Sequence, residues 1–315
     1  IRFIESGGCL DNADPQAVSD HAKERGRDQL GTLGAGNHFI EVDVIDEIFD
    51  ATTASAFGLS LNQVVVLIHT GSRGLGHQVA TDYIRIMNQV MTKYGISVPD
   101  RELACAPLSS PEGTAYFNAM AASANFAWAN RALIAWEVGV VFEEMFKEKL
   151  STLYDVAHNI AKVEDHVVNG KKEKLIVHRK GATRAFGPHN SELIDEYRPT
   201  GQPVLIPGSM GTASYVLVGT EESMGLSFGS CCHGAGRTMS RHAAKKQISG
   251  KLLKQELEQL GVYIQTGSIS GLSEEAPLAY KDIHEVVDVV DKVGLAKKVA
   301  RLSPAGVVKG EGLKV

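Results

Sequence analysis

His233 stands in the stretch Ser230-Cys231-Cys232-His233-Gly234-Ala235-Gly236-Arg237-Thr238-Met239-Ser240-Arg241, a glycine-flanked turn followed by two arginines four residues apart. An imidazole so placed can act as an acid, a base or a nucleophile. A helix starting here would stack Arg237 and Arg241 on one face. Its first turn would also offer free N–H donors to an anion. The stretch therefore predicts a phosphate-like anion held beside an imidazole. Cys232 next to His233 admits a Cys/His nucleophile, but no group is in view to orient the base, and a small buried thiol is the plainer reading.

Three further features carry chemistry. Of eleven histidines, His69 and His178 directly follow apolar runs, His38 precedes one, and His158 lies among apolar neighbours in residues 154–160. Neutral imidazoles converging from separate strands suit Mn, Fe or Zn, usually with a carboxylate or thiolate completing the shell. A hydrogen-bonded structural role is the alternative for each of them. Cationic glycine-containing loops recur at residues 70–76, 178–184 and 233–241; the first lacks the lysine of a phosphate-binding P-loop. Each is either a solvated turn or part of a shared polyanion site, for which phosphate is the natural ligand. Residues 207–214, all small or hydroxylated apart from Met210, form either a tight turn or a backbone surface that a flat ring can approach.

The elements that must position these groups are mixed. Residues 39–44 alternate like a strand, and residues 64–68 form a continuous apolar run that reads as a buried strand. Further strands are expected at 174–177, 203–206 and 215–218. A short helix is expected within 11–26, others at 80–94, 239–246, 252–260 and 283–298, and one or two long buried helices over 117–150. Trp128 and Trp136 read as core. There is no regular alternation of strand and helix and no long linker, so the expected architecture is α+β, one large mixed-sheet domain over residues 1–315.

Composition narrows the class. At 315 residues the chain can bury a sizeable core, and its apolar runs are too short to span a bilayer. A net charge of −5 excludes a broadly basic nucleic-acid coat, so any such contact must come from local Arg and Lys clusters. Four cysteines without a Cys-x-x-Cys pair suit a reduced, cytoplasmic protein. The first residues lack a starting methionine, which hints at a fragment or processed chain, and they lack a signal-peptide layout.

Eight motifs in a fixed order now point further. They are Gly31-Thr32-Leu33-Gly34-Ala35-Gly36-Asn37-His38-Phe39-Ile40-Glu41, His69-Thr70-Gly71-Ser72-Arg73-Gly74-Leu75-Gly76-His77, and the segments 155–162, 177–184, 207–215, 232–241, 274–280 and 307–310. With them the chain resembles the RtcB family of RNA-splicing ligases from about residue 8 to residue 310. The resemblance implies a GTP-dependent enzyme with two Mn2+ ions that joins RNA ends bearing a 2′,3′-cyclic phosphate or 3′-phosphate to 5′-hydroxyl ends, in tRNA splicing or RNA repair. It implies that His38, His69 and His158 bind metal and that His233 becomes guanylylated. For GTP it implies contacts from Asn37, His38, Phe39, Ile40, Glu41, His158, Asn159, Pro207, Gly208, Ser209, Met210, Ser214, His233, Gly234, Ala235 and Gly236. In that scheme Glu41 reads the guanine edge, Tyr280 stacks on the base and Lys309 contacts it.

Arg73, Arg179, Lys180, Arg184, Arg237 and Arg241 are candidates for RNA phosphates, with structural salt bridges as the alternative. The resemblance also implies an archease partner and no membrane association. Family members carry an upstream aspartate and cysteine that complete the metal shell, and nothing here matches them. The family tends to stop at Lys-Gly, whereas this chain continues as Glu311-Gly312-Leu313-Lys314-Val315, which either crowds Lys309 or hangs free. Two other activities fit the same residues less well: a metal-dependent cyclic phosphodiesterase, and a non-catalytic RNA-binding paralogue, against which all four histidines argue.

Overall fold

A computed structural model describes residues 2–310; the tail 311–315, and with it the expected effect on Lys309, lies outside the described residues. The first elements are α1 (Asp20–Gly26), β1 (Phe39–Ile48), α2 (Ala51–Ala56), β2 (Val64–His69), α3 (Arg73–Val90) and α4 (Pro111–Phe146). Next come β3 (Asn159–Val168), β4 (Lys171–Lys180), β5 (Ala182–Arg184), β6 (Pro203–Ile206), β7 (Ser214–Gly219), α5 (Glu221–Ser227) and β8 (Ser230–Cys232). The chain closes with α6 (Arg241–Gln247), α7 (Gly250–Gln259), β9 (Tyr263–Thr266), α8 (Ile269–Glu274), α9 (Ile283–Val293) and β10 (Ala296–Lys309). The class is α+β, as expected.

Contacts gather into two compact units. One comprises Phe3–Thr32 and Thr70–Ser151, the other Leu33–His69 and Thr152 onward. In the first, α1, α3 and α4 close over Val18, Ala22, Val79, Tyr83, Met87 and Ala119. Helix α4 starts cleanly because Ser110 accepts from Gly113 N and Pro111 occupies the first turn, where its missing N–H costs nothing. Trp128 is 1% exposed, but Trp136 is 65% exposed, so the expectation that both tryptophans are core holds only for the first. The long helix turns Trp136, Met145 and Phe146 outward along its last three turns.

The second unit is built on a six-stranded sheet in the order β2-β1-β10-β7-β6, with β9 parallel to the end of β10 and the other pairs antiparallel. Two small sheets, β3-β4 and β5-β8, accompany it. Residues of β1 alternate, so Phe39, Glu41, Asp43 and Ile45 share one buried face. Phe39 packs there with Met210, Leu253, Leu257, Ile264 and Val307. A second cluster joins Val204, Ile206, Tyr215 and Leu217 to Ile283, Val287 and Val290 of α9, the i, i+4, i+7 stripe of an amphipathic helix. Each such aliphatic side chain stabilises the fold by roughly 1.5–3 kcal/mol.

Several expected boundaries move. The helix expected over 283–298 stops at Val293, because Gly294 takes φ 84 as its left-handed cap, and Lys297 and Lys298 belong to β10 instead. The run at 64–68 is a strand but an edge strand, half-buried or exposed throughout rather than buried. No helix starts at His233: residues 233–240 form a loop, and α6 begins at Arg241 behind the N-cap Ser240. Arg237 and Arg241 therefore do not share a helix face.

Candidate functional site

Four histidines mark the ends of four strands in the second unit. His38 immediately precedes β1 and His69 ends β2, and the antiparallel register pairs Phe39 with His69. His158 immediately precedes β3, whose first residue Asn159 pairs with Lys180 at the end of β4. His233 immediately follows β8, whose last residue Cys232 pairs with Ala182. The Gly181 turn joins these sheets: its N–H donates to His158 O at 2.9 Å, and it takes φ 68. A side chain there would approach His233 Cδ2 and Nε2 to 3.5 Å.

The rings converge accordingly. His233 stacks on His158 with centroids 4.3 Å apart and planes 12° from parallel. His69 meets His158 edge-on at 5.0 Å and lies 6.1 Å from both His233 and His38. The Nε2 atoms of His69 and His158 are 3.0 Å apart and share a hydrogen. Burial, then the neighbouring His158, His38, His233 and Lys309, hold the His69 imidazole well below its ordinary range. Burial, with Lys180 adding to it, also lowers His233, so these rings keep free lone pairs at neutral pH.

This donor chemistry suits a divalent cation in part. Two nitrogens at right angles around a metal with bonds of about 2.1 Å stand about 3.0 Å apart, the spacing of the two Nε2 atoms. Among the described residues, however, no group of three or more His, Cys, Asp or Glu side chains is arranged to hold a metal ion. The three histidines expected at a metal site lie together without forming a closed ligand set.

Beside the imidazoles lies a charged floor. Phe39 packs edge-on against His69 at 5.3 Å, and Lys309 Nζ sits 5.8 Å above the Phe39 ring. Lys309 is buried, which pulls its amine down to about 8, opposed by Glu275 and Glu41. Glu41 is 2% exposed, and burial together with Asp43 raises its carboxyl, while Lys309 opposes this. Both oxygens of Asp43 are buried without a hydrogen-bond partner, and burial raises this carboxyl to about 7. Ile40 points to the other side of β1, paired with Val308. Asn159 is exposed at the start of β3.

Two loops complete the surroundings. In residues 207–214, Gly208 N donates to Ser214 Oγ at 3.1 Å and Ser209 N to Thr212 Oγ1 at 2.8 Å, which closes the segment into a tight turn; the Met210 side chain is buried in the core. Gly234 backs onto this turn, with its missing side chain 3.6 Å from Pro207 O. Beyond Ala235, Lys281 N donates to Gly236 O at 2.9 Å, and Arg237 bridges to Tyr280. The Arg237 guanidinium lies 4.7 Å from the Tyr280 ring centroid and donates to its hydroxyl at 2.8 Å.

The candidate RNA cations separate clearly. Arg179 is 2% exposed and forms a two-pronged pair with Glu164 at 2.5 and 2.9 Å. Arg184 is 3% exposed and donates to Gln202, Glu192 and Tyr154. For these two, the salt-bridge alternative holds. Arg73 lies in the other unit, where it donates to Thr32 Oγ1. Lys180 is exposed beside His233, and Arg237 and Arg241 are held by Glu275. His178 is exposed within β4 and takes no part in the imidazole cluster. Sequence reasoning assigns no role to Glu275, Glu164 or Asp43, although Glu275 lies within the motif 274–280 and the alternation of residues 39–44 puts Asp43 on the face of Glu41.

The family model described as tRNA-splicing ligase RtcB matches residues 1–310. A protein of Pyrococcus furiosus named tRNA-splicing ligase RtcB is 57% identical over 98% of this chain and 33% of its own length. Proteins of the same name from Archaeoglobus fulgidus and Thermococcus kodakarensis are 55% and 56% identical over 98% of this chain and 65% of theirs. The chain thus spans about one third to two thirds of the length of these relatives.

Proposed function

Since the chain belongs to the RtcB family, we propose that it is the catalytic part of a GTP- and Mn2+-dependent RNA ligase of the cytoplasm, acting on tRNA halves or broken RNA ends. The observation that carries this reading is the His233 ring stacked on His158 inside a cluster of four imidazoles. A nucleophile with a depressed pKa beside metal-type donors is the arrangement that nucleotidyl transfer to nitrogen requires.

A nitrogen of His233 attacks the α-phosphorus of GTP; a P–N bond forms, the bond to the bridging oxygen breaks, and pyrophosphate leaves. Water first opens a cyclic RNA end to a 3′-phosphate. That phosphate takes GMP from His233, breaking the P–N bond. The 5′-hydroxyl then attacks the activated phosphorus, GMP leaves, and a 3′,5′-phosphodiester remains. His69 and His158, with His38 alongside, would hold Mn2+, which would supply charge neutralisation for the triphosphate. Tyr280, Lys309 and Glu41 face the base, and residues 207–210, Ser214 and residues 234–236 line the nucleotide. Lys180, Arg237 and Arg241 serve RNA phosphates, and an archease protein is the expected partner.

The test is a joining reaction with the full-length protein, Mn2+, GTP and labelled RNA ends. Joined product from wild type and none from His233→Ala supports the reading. Cyclic ends opened without joining would favour the phosphodiesterase, and RNA bound without either reaction the non-catalytic paralogue.

A further inference from the structure

Glu275 follows α8 and is only 3% exposed, yet it is the most connected carboxylate near the nucleotide residues. Its Oε2 accepts from the Tyr280 hydroxyl and from Arg237 Nη1 at 3.4 Å, and its Oε1 accepts from Arg241 Nε at 3.0 Å. Arg237 also donates to the Tyr280 hydroxyl, to Glu274 O at 2.5 Å and to Met239 O at 3.0 Å, which leaves its guanidinium over the ring. Glu275 is, besides, one of the two carboxylates whose charge favours the cationic form of buried Lys309. Arg241 comes near the nucleotide strand as well: a side chain at Gly36, next to Asn37, would stand 3.7 Å from Arg241 Nη2.

One buried negative charge therefore touches Arg237, Arg241 and the Tyr280 hydroxyl and faces Lys309. We propose that Glu275 is a positioning residue for guanine recognition: it anchors the far end of Tyr280 through the phenol and holds Arg237 against the ring face and Arg241 beside it, so base selectivity depends on it. This rests on the function proposed above, with Tyr280 as the base-stacking ring. A buried carboxylate suits the task because charged hydrogen bonds are short and directional: they fix where the phenol oxygen sits, and the Arg237 guanidinium held against the ring face restrains its plane.

The experiment measures GTP and ATP binding with Mn2+ in the His233→Ala background, where no chemistry follows, using the full-length protein. Glu275→Gln keeps the shape and removes the charge. It is expected to weaken GTP binding about 10- to 100-fold, the range for losing charged hydrogen bonds, and to narrow the GTP-over-ATP preference. Tyr280→Phe is expected to reproduce part of that loss, and the double variant to be no worse than Glu275→Gln alone, because both act through one hydroxyl. Additive losses, or an unchanged GTP-over-ATP ratio, would overturn the proposal and leave Glu275 a structural residue. Should the His233→Ala parent itself show no preference for GTP, the functional reading fails first, which is a separate outcome. If Glu275→Gln does not fold, Glu275→Asp provides the second variant, which keeps the charge but shortens its reach: a narrowed GTP-over-ATP ratio supports positioning, and a ratio equal to wild type contradicts it.

Discussion

At the scale of single residues, charge states set by burial give the site its pH behaviour. Burial pulls the Lys309 amine down to about 8, so the contact with guanine proposed for it is expected to be strongest below that pH. The KM for GTP is expected to rise as pH passes about 8, and Lys309→Gln to raise it about tenfold at pH 7 while flattening that rise. A GTP KM that ignores pH between 7 and 9 in wild type would remove Lys309 from the base contact. Part of the imidazole cluster was legible in the sequence: His38 and His69 flank apolar runs that become neighbouring strands, whereas His178, which follows an apolar run in the same way, stays outside the cluster. The arginines were not: the partner of Arg179 is fifteen residues away, on the neighbouring strand, and local spacing carries no trace of it. A cationic loop and a buried ion pair look alike until the fold is known.

At the scale of elements, the same Glu164–Arg179 pair fastens β3 to β4 just before Lys180 and Gly181 turn toward His233. Burial raises the Glu164 carboxyl, but hydrogen bonds and charge from Arg179 outweigh it and hold the group below its ordinary 4.5. A folded pKa below the unfolded one gives stability that is present above about pH 4.5 and fades as pH falls through the folded value. Glu164→Gln leaves Arg179 buried without its counter-charge, and is expected to cost about 3–5 kcal/mol. Denaturant unfolding at pH 7 reads this directly; a change under 1 kcal/mol would mean the pair is solvated in solution.

Strands with clean alternation, such as β1, were legible in advance. The central strand β10 was not, since Lys297-Lys298 and Ser303-Pro304-Ala305-Gly306 break its pattern, and its register shifts against both β1 and β7. Its stability comes from neighbours distant in sequence, such as Ile40 opposite Val308.

At the scale of the whole molecule, the imidazoles, the nucleotide-side residues and Glu275 all belong to one compact unit, and Arg73 to the other. Among the described residues, no helix is long and apolar enough to cross a membrane. With a net charge of −5, the proposed affinity for RNA is expected to come from a few local cations rather than an extended basic face. The logarithm of the RNA affinity is therefore expected to fall with log salt at a shallow slope of about 2–3, and Lys180→Gln to reduce it by about 0.7. A slope near 6 or more, measured by filter binding between 50 and 200 mM salt, would reveal a basic surface outside this chain. The overall class was legible from the mixture of elements, whereas the division into two units follows from long-range contacts that no local pattern encodes.

The most direct measurement is mass spectrometry of the protein after incubation with GTP and Mn2+. The prediction is one GMP added through an acid-labile bond to the peptide containing His233, absent in His233→Ala. A GMP found on a lysine or elsewhere, or none at all while the RNA ends are still joined, would contradict the account.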